Sequence, residues 1–200
     1  MVHSIRRRSG QTLAIWSTDQ AVPFGIIALV GLPGSGKSTV GRQLARRLQL
    51  PFIDSDQVIE QRLGCSIREY FEREGEERFR DIEESVIDDL TQTHDGVLST
   101  GGGSVLRPLN RERLRSRGQV VYLHCSPDEV FRRLRHDSNR PLLQVNDPLR
   151  RLSDLYSVRD PLYREIASLV IETGRPSVSA LVTSIISHCT RTGILLGPQP

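Results

Sequence analysis

A three-layer α/β/α domain around a central five-stranded parallel sheet is the fold class predicted for this 200-residue chain. Three observations predict it. Short apolar runs alternate with longer amphipathic segments, the rhythm of parallel strands covered on both faces by helices. The first apolar run ends in a glycine-rich turn that opens directly onto a helical pattern. The length suits one domain with a substantial buried core.

The elements follow in order. Residues Phe24 to Val30 are an apolar run of buried-strand type. After the turn, Val40, Leu44 and Leu48 recur at helical spacing within Lys37 to Leu48. Pro51 to Ile53 is a short second strand, followed by helical periodicity in Val58 to Leu63 and again in Ile67 to Phe71. Phe79, Ile82, Val86, Ile87 and Leu90 then line one face of a long amphipathic helix. Val97 to Thr100 is a third strand, closed by Gly101, Gly102 and Gly103. Asn110 to Arg117 reads as a helix and Val120 to Leu123 as a fourth strand. Pro127 suits a first helical turn, so Asp128 to Arg135 is the next helix. Leu149 to Tyr163 is mostly helical, Leu169 to Ile171 is a fifth strand, and Val178 to Ile186 a final helix.

Two stretches and the tail stand outside this rhythm. Residues 1–18 hold no acid and include Arg6, Arg7 and Arg8. Residues 1–23 are expected to be a disordered extension, with a transit peptide for plastid import as the alternative. Arg135 to Pro148 carries prolines, asparagines and charges and is expected to be a mobile lid-like loop of about 135–148. The single domain is expected to span 24–188, with 189–200 a loose tail.

Composition excludes several function classes. A net charge of +3, with basic and acidic residues interleaved, argues against nucleic-acid binding. No apolar stretch approaches the roughly 20 residues of a membrane span. Cys65, Cys125 and Cys189 are odd in number and widely spaced, which points to a reducing cytoplasm rather than a disulfide framework. The basic set is 26 arginines and one lysine, Lys37. Arginine therefore fills ordinary positions, and its abundance alone carries no functional meaning.

That lysine lies in Gly31 to Thr39, which fits the pattern GxxxxGK[ST]. Glycines let the loop backbone curl so that its N–H groups point at phosphate oxygens, and the following helix aims its positive end there. Gly34, Ser35, Gly36, Lys37, Ser38 and Thr39 are thus candidate nucleotide-binding residues. Lys37 is a compact charge on a flexible stem, suited to β- and γ-phosphates, and the Ser38 hydroxyl suits Mg²⁺, which prefers oxygen ligands.

The acceptor side is read from the residues at the ends of the strands and beyond them. Asp54 and Asp56 flank Ser55 at the end of the second strand, the ligand-binding edge of a parallel sheet. One carboxylate can approach Mg²⁺ through water while the other hydrogen-bonds an acceptor hydroxyl. Ser55 or Asp56 capping the next helix is the competing role. Arg80 and Glu83, spaced i and i+3, read in isolation as an exposed ion pair. The three glycines cost chain entropy and permit close approach of a ligand to the backbone.

Taken together, these residues resemble the shikimate kinase family. The match runs through GLPGSGKSTVGRQLA, FIDSD, EGEERFRDIE, LSTGGGSV, VVYL, NRPLL and RDPLY in that order, over roughly residues 25–173. The resemblance implies a P-loop kinase fold and transfer of the γ-phosphoryl of ATP to the 3-hydroxyl of shikimate, in aromatic amino-acid biosynthesis. It implies that Asp56 contacts the acceptor hydroxyl, that Arg80, Gly102 and Arg159 bind shikimate with Glu83 beside them, and that Arg140 of the lid approaches the ATP phosphates. Lys37, Asp56 and Arg140 are then the catalytic set, and Ser38 with Asp54, through water, holds Mg²⁺. Arg175 loosely matches the adenine-side arginine. A monomer binding shikimate and ATP is expected. The rivals are another P-loop small-metabolite kinase, such as gluconate kinase, or a non-catalytic relative that binds nucleotide or a partner protein.

Overall fold

Five consecutive apolar residues, Ile26–Val30, make β1 the buried centre of the sheet, with all five side chains in the core. In the computed structural model, which describes residues 25–135 and 146–192, the chain runs β1, α1 (Lys37–Leu48), β2 (Phe52–Asp54), α2 (Ser55–Leu63) and α3 (Ile67–Thr93). It continues through β3 (Gly96–Ser99), a single 3₁₀ turn (Ser104–Leu106), α4 (Pro108–Arg117), β4 (Gly118–His124) and α5 (Pro127–Leu134). It closes with α6 (Pro148–Ile166), β5 (Leu169–Glu172) and α7 (Val178–Arg191).

The five strands lie in the order β2-β3-β1-β4-β5, and every pairing is parallel. From β1 the chain first passes to the β2 side and later returns to the β4 side, so the carboxyl end of β1 is a topological switch point where ligands bind. Register places Asp54 of β2 beside Ser99 of β3 at that same edge.

Alternation along β1 divides the core. Ile26, Ala28 and Val30 pack with Val86, Ile87, Leu114, Tyr122 and Tyr163 under α3, α4 and α6. Ile27 and Leu29 face the other way, onto Val40 and Leu44 of α1 and Leu181, Ile185 and Cys189 of α7. Each fully buried leucine or isoleucine contributes about 1.5–3 kcal/mol of apolar burial, so both layers are held by the sheet rather than by each other.

Element order agrees with the sequence pattern, and the differences have local causes. The helical segments expected at Ile67 to Phe71 and around Phe79 to Leu90 form one run, interrupted at Gly75, whose φ of 83° and ψ of 173° are not helical. Ser66 starts it with a capping box to Glu69. The last helix continues to Arg191 because Cys189 extends the apolar face of Leu181, Val182 and Ile185, so residues 189–191 belong to α7 and not to a loose tail. The 3₁₀ turn after the three glycines, closed by Leu106 N–H to Gly103 O at 3.0 Å, left no periodicity to read. No helix among the described residues is long and apolar enough to cross a membrane. The extension 1–23 and most of the expected lid, with Arg140, lie outside the described residues.

Candidate active site

The phosphate loop links β1 to α1, and its last glycine is demanded by geometry. Gly36 is the N-cap of α1 with φ 98° and ψ 12°, a left-handed conformation that a side chain would strain. The turn directs the head of α1 and its N–H groups into a cavity of about 320 Å³. Gly34, Gly36, Lys37, Ser38, Thr39, Asp54, Asp56, Ser99, Thr100 and Gly102 line that cavity, with Pro33 and Leu134. Lys37 is buried to 8% exposure, and its Nζ donates to the Gly31 and Leu32 carbonyls, both at 2.9 Å. Ser35 is buried with no partner for its Oγ among the described residues, and its carbonyl accepts from Arg133 at 3.3 Å.

Three oxygens converge beside the loop. Ser38 Oγ donates to Asp54 Oδ2 at 2.9 Å and lies 3.3 Å from Ser99 Oγ. The other oxygen of Asp54 accepts from the Asp56 N–H at 3.2 Å, so Asp54 is the N-cap of α2. This corrects the capping role expected of Ser55 or Asp56. Ser55 is instead fully buried, its Oγ accepting from the Gly101 N–H at 3.0 Å and tying the end of β2 to the glycine turn.

Asp56 is thereby left at the cavity wall. Burial, reinforced by the Asp54 carboxylate, pushes its pKa up from 3.8 to about 6; Lys37 opposes the rise, while Glu83 and Glu60 add to it. A carboxyl poised there is ionised at neutral pH and still basic enough to take a proton.

Arg80 and Glu83 are not the exposed pair their spacing suggests. Arg80 is 7% and Glu83 1% exposed, and their Nη1–Oε2 distance is 2.6 Å. Arg80 also donates to Glu76 at 2.8 Å, and its guanidinium lies 5.2 Å from the Phe79 ring centroid. Burial pushes the Glu83 pKa up, against the pull of Arg80 and Arg159. The second half of α3, redirected at Gly75, carries this pair inward.

The glycine turn fits between these groups with no space for side chains. A Cβ on Gly101 would sit 2.6 Å from Asp56 Oδ1 and 2.9 Å from Glu83 Oε1; one on Gly102 would sit 2.7 Å from Pro33 Cδ. At Gly103 the same atom would overlap the Arg80 guanidinium. The glycines are needed for close packing, since none of the three has a positive φ. From α6, Arg159 Nη1 donates to the Gly102 carbonyl at 3.1 Å, and the Tyr163 hydroxyl to the same oxygen at 2.5 Å.

The structure thus gathers Lys37, Ser38, Asp54, Asp56 and Gly102 around one cavity, with Arg80, Glu83 and Arg159 set against its glycine wall. Arg175 is exposed between β5 and α7 and is not among the residues lining that cavity. Sequence reasoning missed Ser99 and Tyr163, and gave Ser55 a different role from the bond it makes. It also missed Arg133, which joins the Ser35 carbonyl to Thr173. Tyr163 stood inside the RDPLY motif; Arg133 had no signal to separate it from the other arginines.

A parallel sheet with a phosphate loop after its central strand, and paired carboxylates at the same edge, defines a P-loop small-molecule kinase. The family model for shikimate kinase matches residues 33–190. A shikimate kinase of Paracidovorax citrulli (strain AAC00-1) is 62% identical over 171 residues, covering 84% of this chain and 93% of that protein. The solved structure of shikimate kinase from Acinetobacter baumannii in complex with shikimate is 45% identical, with a TM-score of 0.80, covering 84% of this chain and 94% of that one. A gluconokinase from Sinorhizobium meliloti 1021 shares the fold alone, at 19% identity, a TM-score of 0.58 and coverage of 85% and 94%. The chain belongs to the shikimate kinase family.

Proposed function

We propose that this chain, as a shikimate kinase, moves the γ-phosphoryl of ATP onto the 3-hydroxyl of shikimate by dividing the labour among its site residues. The phosphate loop and the head of α1 cradle the ATP phosphates, and Lys37 leaves its loop carbonyls to bridge the β- and γ-phosphates. Asp56 hydrogen-bonds the attacking hydroxyl and accepts its proton as the new P–O bond forms and the bond to the ADP leaving oxygen breaks. Arg80 and Arg159 grip the shikimate carboxylate with charge-assisted hydrogen bonds, and Glu83 holds Arg80 in place. Gly102 lets the backbone approach the ring. Arg140, assigned by the NRPLL motif, is given the role of offsetting charge on the phosphoryl group.

The oxygen donors of Ser38 and Asp54 fit a hard divalent cation, and Mg²⁺ held there, directly by Ser38 and through water by Asp54, would offset phosphate charge. The three cysteines are free thiols, which supports a reducing compartment such as the cytoplasm. Among the described residues, the exposed large apolar side chains Leu109, Val158 and Val170 sit on three separate elements, which supports a monomer.

One observation carries the acceptor assignment: two arginines from different helices, α3 and α6, reach the same glycine turn beside Asp56. The test is an ADP-release assay with Mg²⁺-ATP and either shikimate or gluconate. Turnover is expected with shikimate alone, and turnover with gluconate alone would overturn the reading.

A further inference from the structure

Tyr163 lies one helical turn beyond Arg159 on α6 and is fully buried. Its hydroxyl and Arg159 Nη1 converge on a single acceptor, the Gly102 carbonyl, at 2.5 and 3.1 Å. Under the proposed function these two donors have different futures. Arg159 carries a charge that an acceptor carboxylate draws away from a neutral carbonyl, because charge-assisted bonds are the stronger ones. The tyrosine hydroxyl is neutral, so the same carboxylate draws it less strongly.

We propose that Tyr163 is a positioning residue for acceptor binding: it keeps the Gly102 carbonyl turned toward α6 while Arg159 engages the shikimate carboxylate. The proposal rests on the assignment of Gly102 and Arg159 to shikimate. Without Tyr163, the movement of Arg159 would take both of these donors from a part-buried carbonyl, and an unpaired polar group with restricted access to water is costly. The same oxygen would then be free to turn toward the acceptor side, where its partial negative charge opposes a carboxylate.

The surroundings of Tyr163 suit this task. Its ring packs on Tyr122, with centroids 4.9 Å apart and planes tilted by 34°. Tyr122 is itself fixed, its hydroxyl donating to Asp160 Oδ1 at 2.8 Å, while Asp160 Oδ2 accepts from Arg164 Nε at 2.9 Å. On the opposite side of Gly102, Pro33 of the phosphate loop leaves no space for even a methyl group. The glycine is therefore wedged between the phosphate loop and α6, and Tyr163 supplies the α6 side of the wedge without using a charge.

Two variants separate positioning from general support of the core. Tyr163→Phe removes the hydroxyl and keeps the ring against Tyr122. Tyr122→Phe removes a hydroxyl from the same ring pair but from the bond to Asp160, away from Gly102. Shikimate and ATP binding are measured by calorimetry, and turnover by ADP release, below the melting temperature of both variants. Tyr163→Phe is expected to raise the KM and Kd for shikimate about ten-fold, with kcat and the KM for ATP within about two-fold of the parent. Tyr122→Phe is expected to lower the melting temperature and leave shikimate affinity within about two-fold. Unchanged shikimate affinity in Tyr163→Phe overturns the proposal, as does an equal loss in both variants. If the parent protein itself neither binds nor phosphorylates shikimate, the acceptor assignment fails first, and that result is read without any variant.

Discussion

Ser38 donates its hydroxyl proton to one oxygen of Asp54 at 2.9 Å, while the other oxygen of that carboxylate caps α2 through the Asp56 N–H. One side chain thus joins the phosphate loop, the end of β2 and the start of the helix that presents Asp56. Its two duties can be separated chemically, because asparagine caps a helix about as well as aspartate but carries no charge. Asp54→Asn is expected to keep stability within about 0.5 kcal/mol of the parent. It should lower kcat at least about 100-fold and raise the Mg²⁺ concentration needed for half-maximal rate, since the loop loses its nearest anion. A urea melt and a Mg²⁺ titration of the rate check both halves. An unchanged kcat and Mg²⁺ requirement in an equally stable variant would show that Asp54 only caps.

Asp56 yields a prediction in pH. Its pKa is raised, from 3.8 to about 6, by burial first and by Asp54 next. The folded state therefore binds a proton more tightly than the unfolded chain does. Its stabilising contribution is fully present below pH 3.8 and is lost as pH rises through about 6. At neutral pH the ionised carboxylate is a cost that function retains. Asp56→Asn is expected to stabilise the protein at pH 7 by about 1–3 kcal/mol while abolishing phosphoryl transfer. The parent should show an acidic limb in kcat/KM with a midpoint near pH 6. Thermal melts at pH 7 and a pH–rate profile measure these, and a flat profile between pH 5 and 7 would remove Asp56 as the base.

The Arg80–Glu83 pair gives a stability prediction of the opposite sign. Both groups are almost wholly buried and 2.6 Å apart. Glu83→Ala would leave a buried guanidinium with Glu76 as its remaining carboxylate partner at 2.8 Å. Breaking such a pair costs about 3–5 kcal/mol when the remaining charge has no partner. Because Glu76 remains, we expect about 2–3 kcal/mol in urea unfolding, together with weaker shikimate binding. A loss under about 0.5 kcal/mol would place the pair among exposed ion pairs.

Arg159 is half-buried and bonded to the Gly102 backbone, and its removal leaves the buried Glu83 still paired with Arg80 at 2.6 Å. Arg159→Ala is accordingly expected to fold normally, to weaken shikimate binding by about 100-fold, and to leave ATP binding within about two-fold. Isothermal calorimetry with each substrate separately makes the comparison. Equal weakening of both would mean that the arginine supports the whole cavity and does not clamp the acceptor.

The legibility of this site from sequence was uneven, for identifiable reasons. Gly36, Lys37 and Ser38 were readable because a phosphate loop is a local device: its backbone, its lysine and its helix are consecutive in the chain. Strands such as Ile26–Val30 and helices such as Lys37–Leu48 were readable because period and apolar content are local too. Arg80 and Glu83 were misjudged in isolation because i, i+3 spacing says that two side chains meet, not whether water reaches them. Gly75 interrupts the helix ahead of the pair with non-helical φ and ψ, and the spacing itself does not record that the pair is buried.

By itself the sequence determined the fold class, the order of elements, the phosphate cradle and, through linked motifs, the family. Each depends on residues near one another in the chain or on their linear order. Only the tertiary structure decided that Asp54 and not Ser55 caps α2, that the Arg80 pair is dry, and that Pro33, Arg80 and Asp56 each exclude a side chain from one glycine. It also decided that Tyr163 shares the Gly102 carbonyl with Arg159 across 57 to 61 residues of chain. The physical reason is that burial and close approach are properties of surfaces brought together by folding. A residue's type states what it can bond; its neighbours across the sheet edge decide what it does.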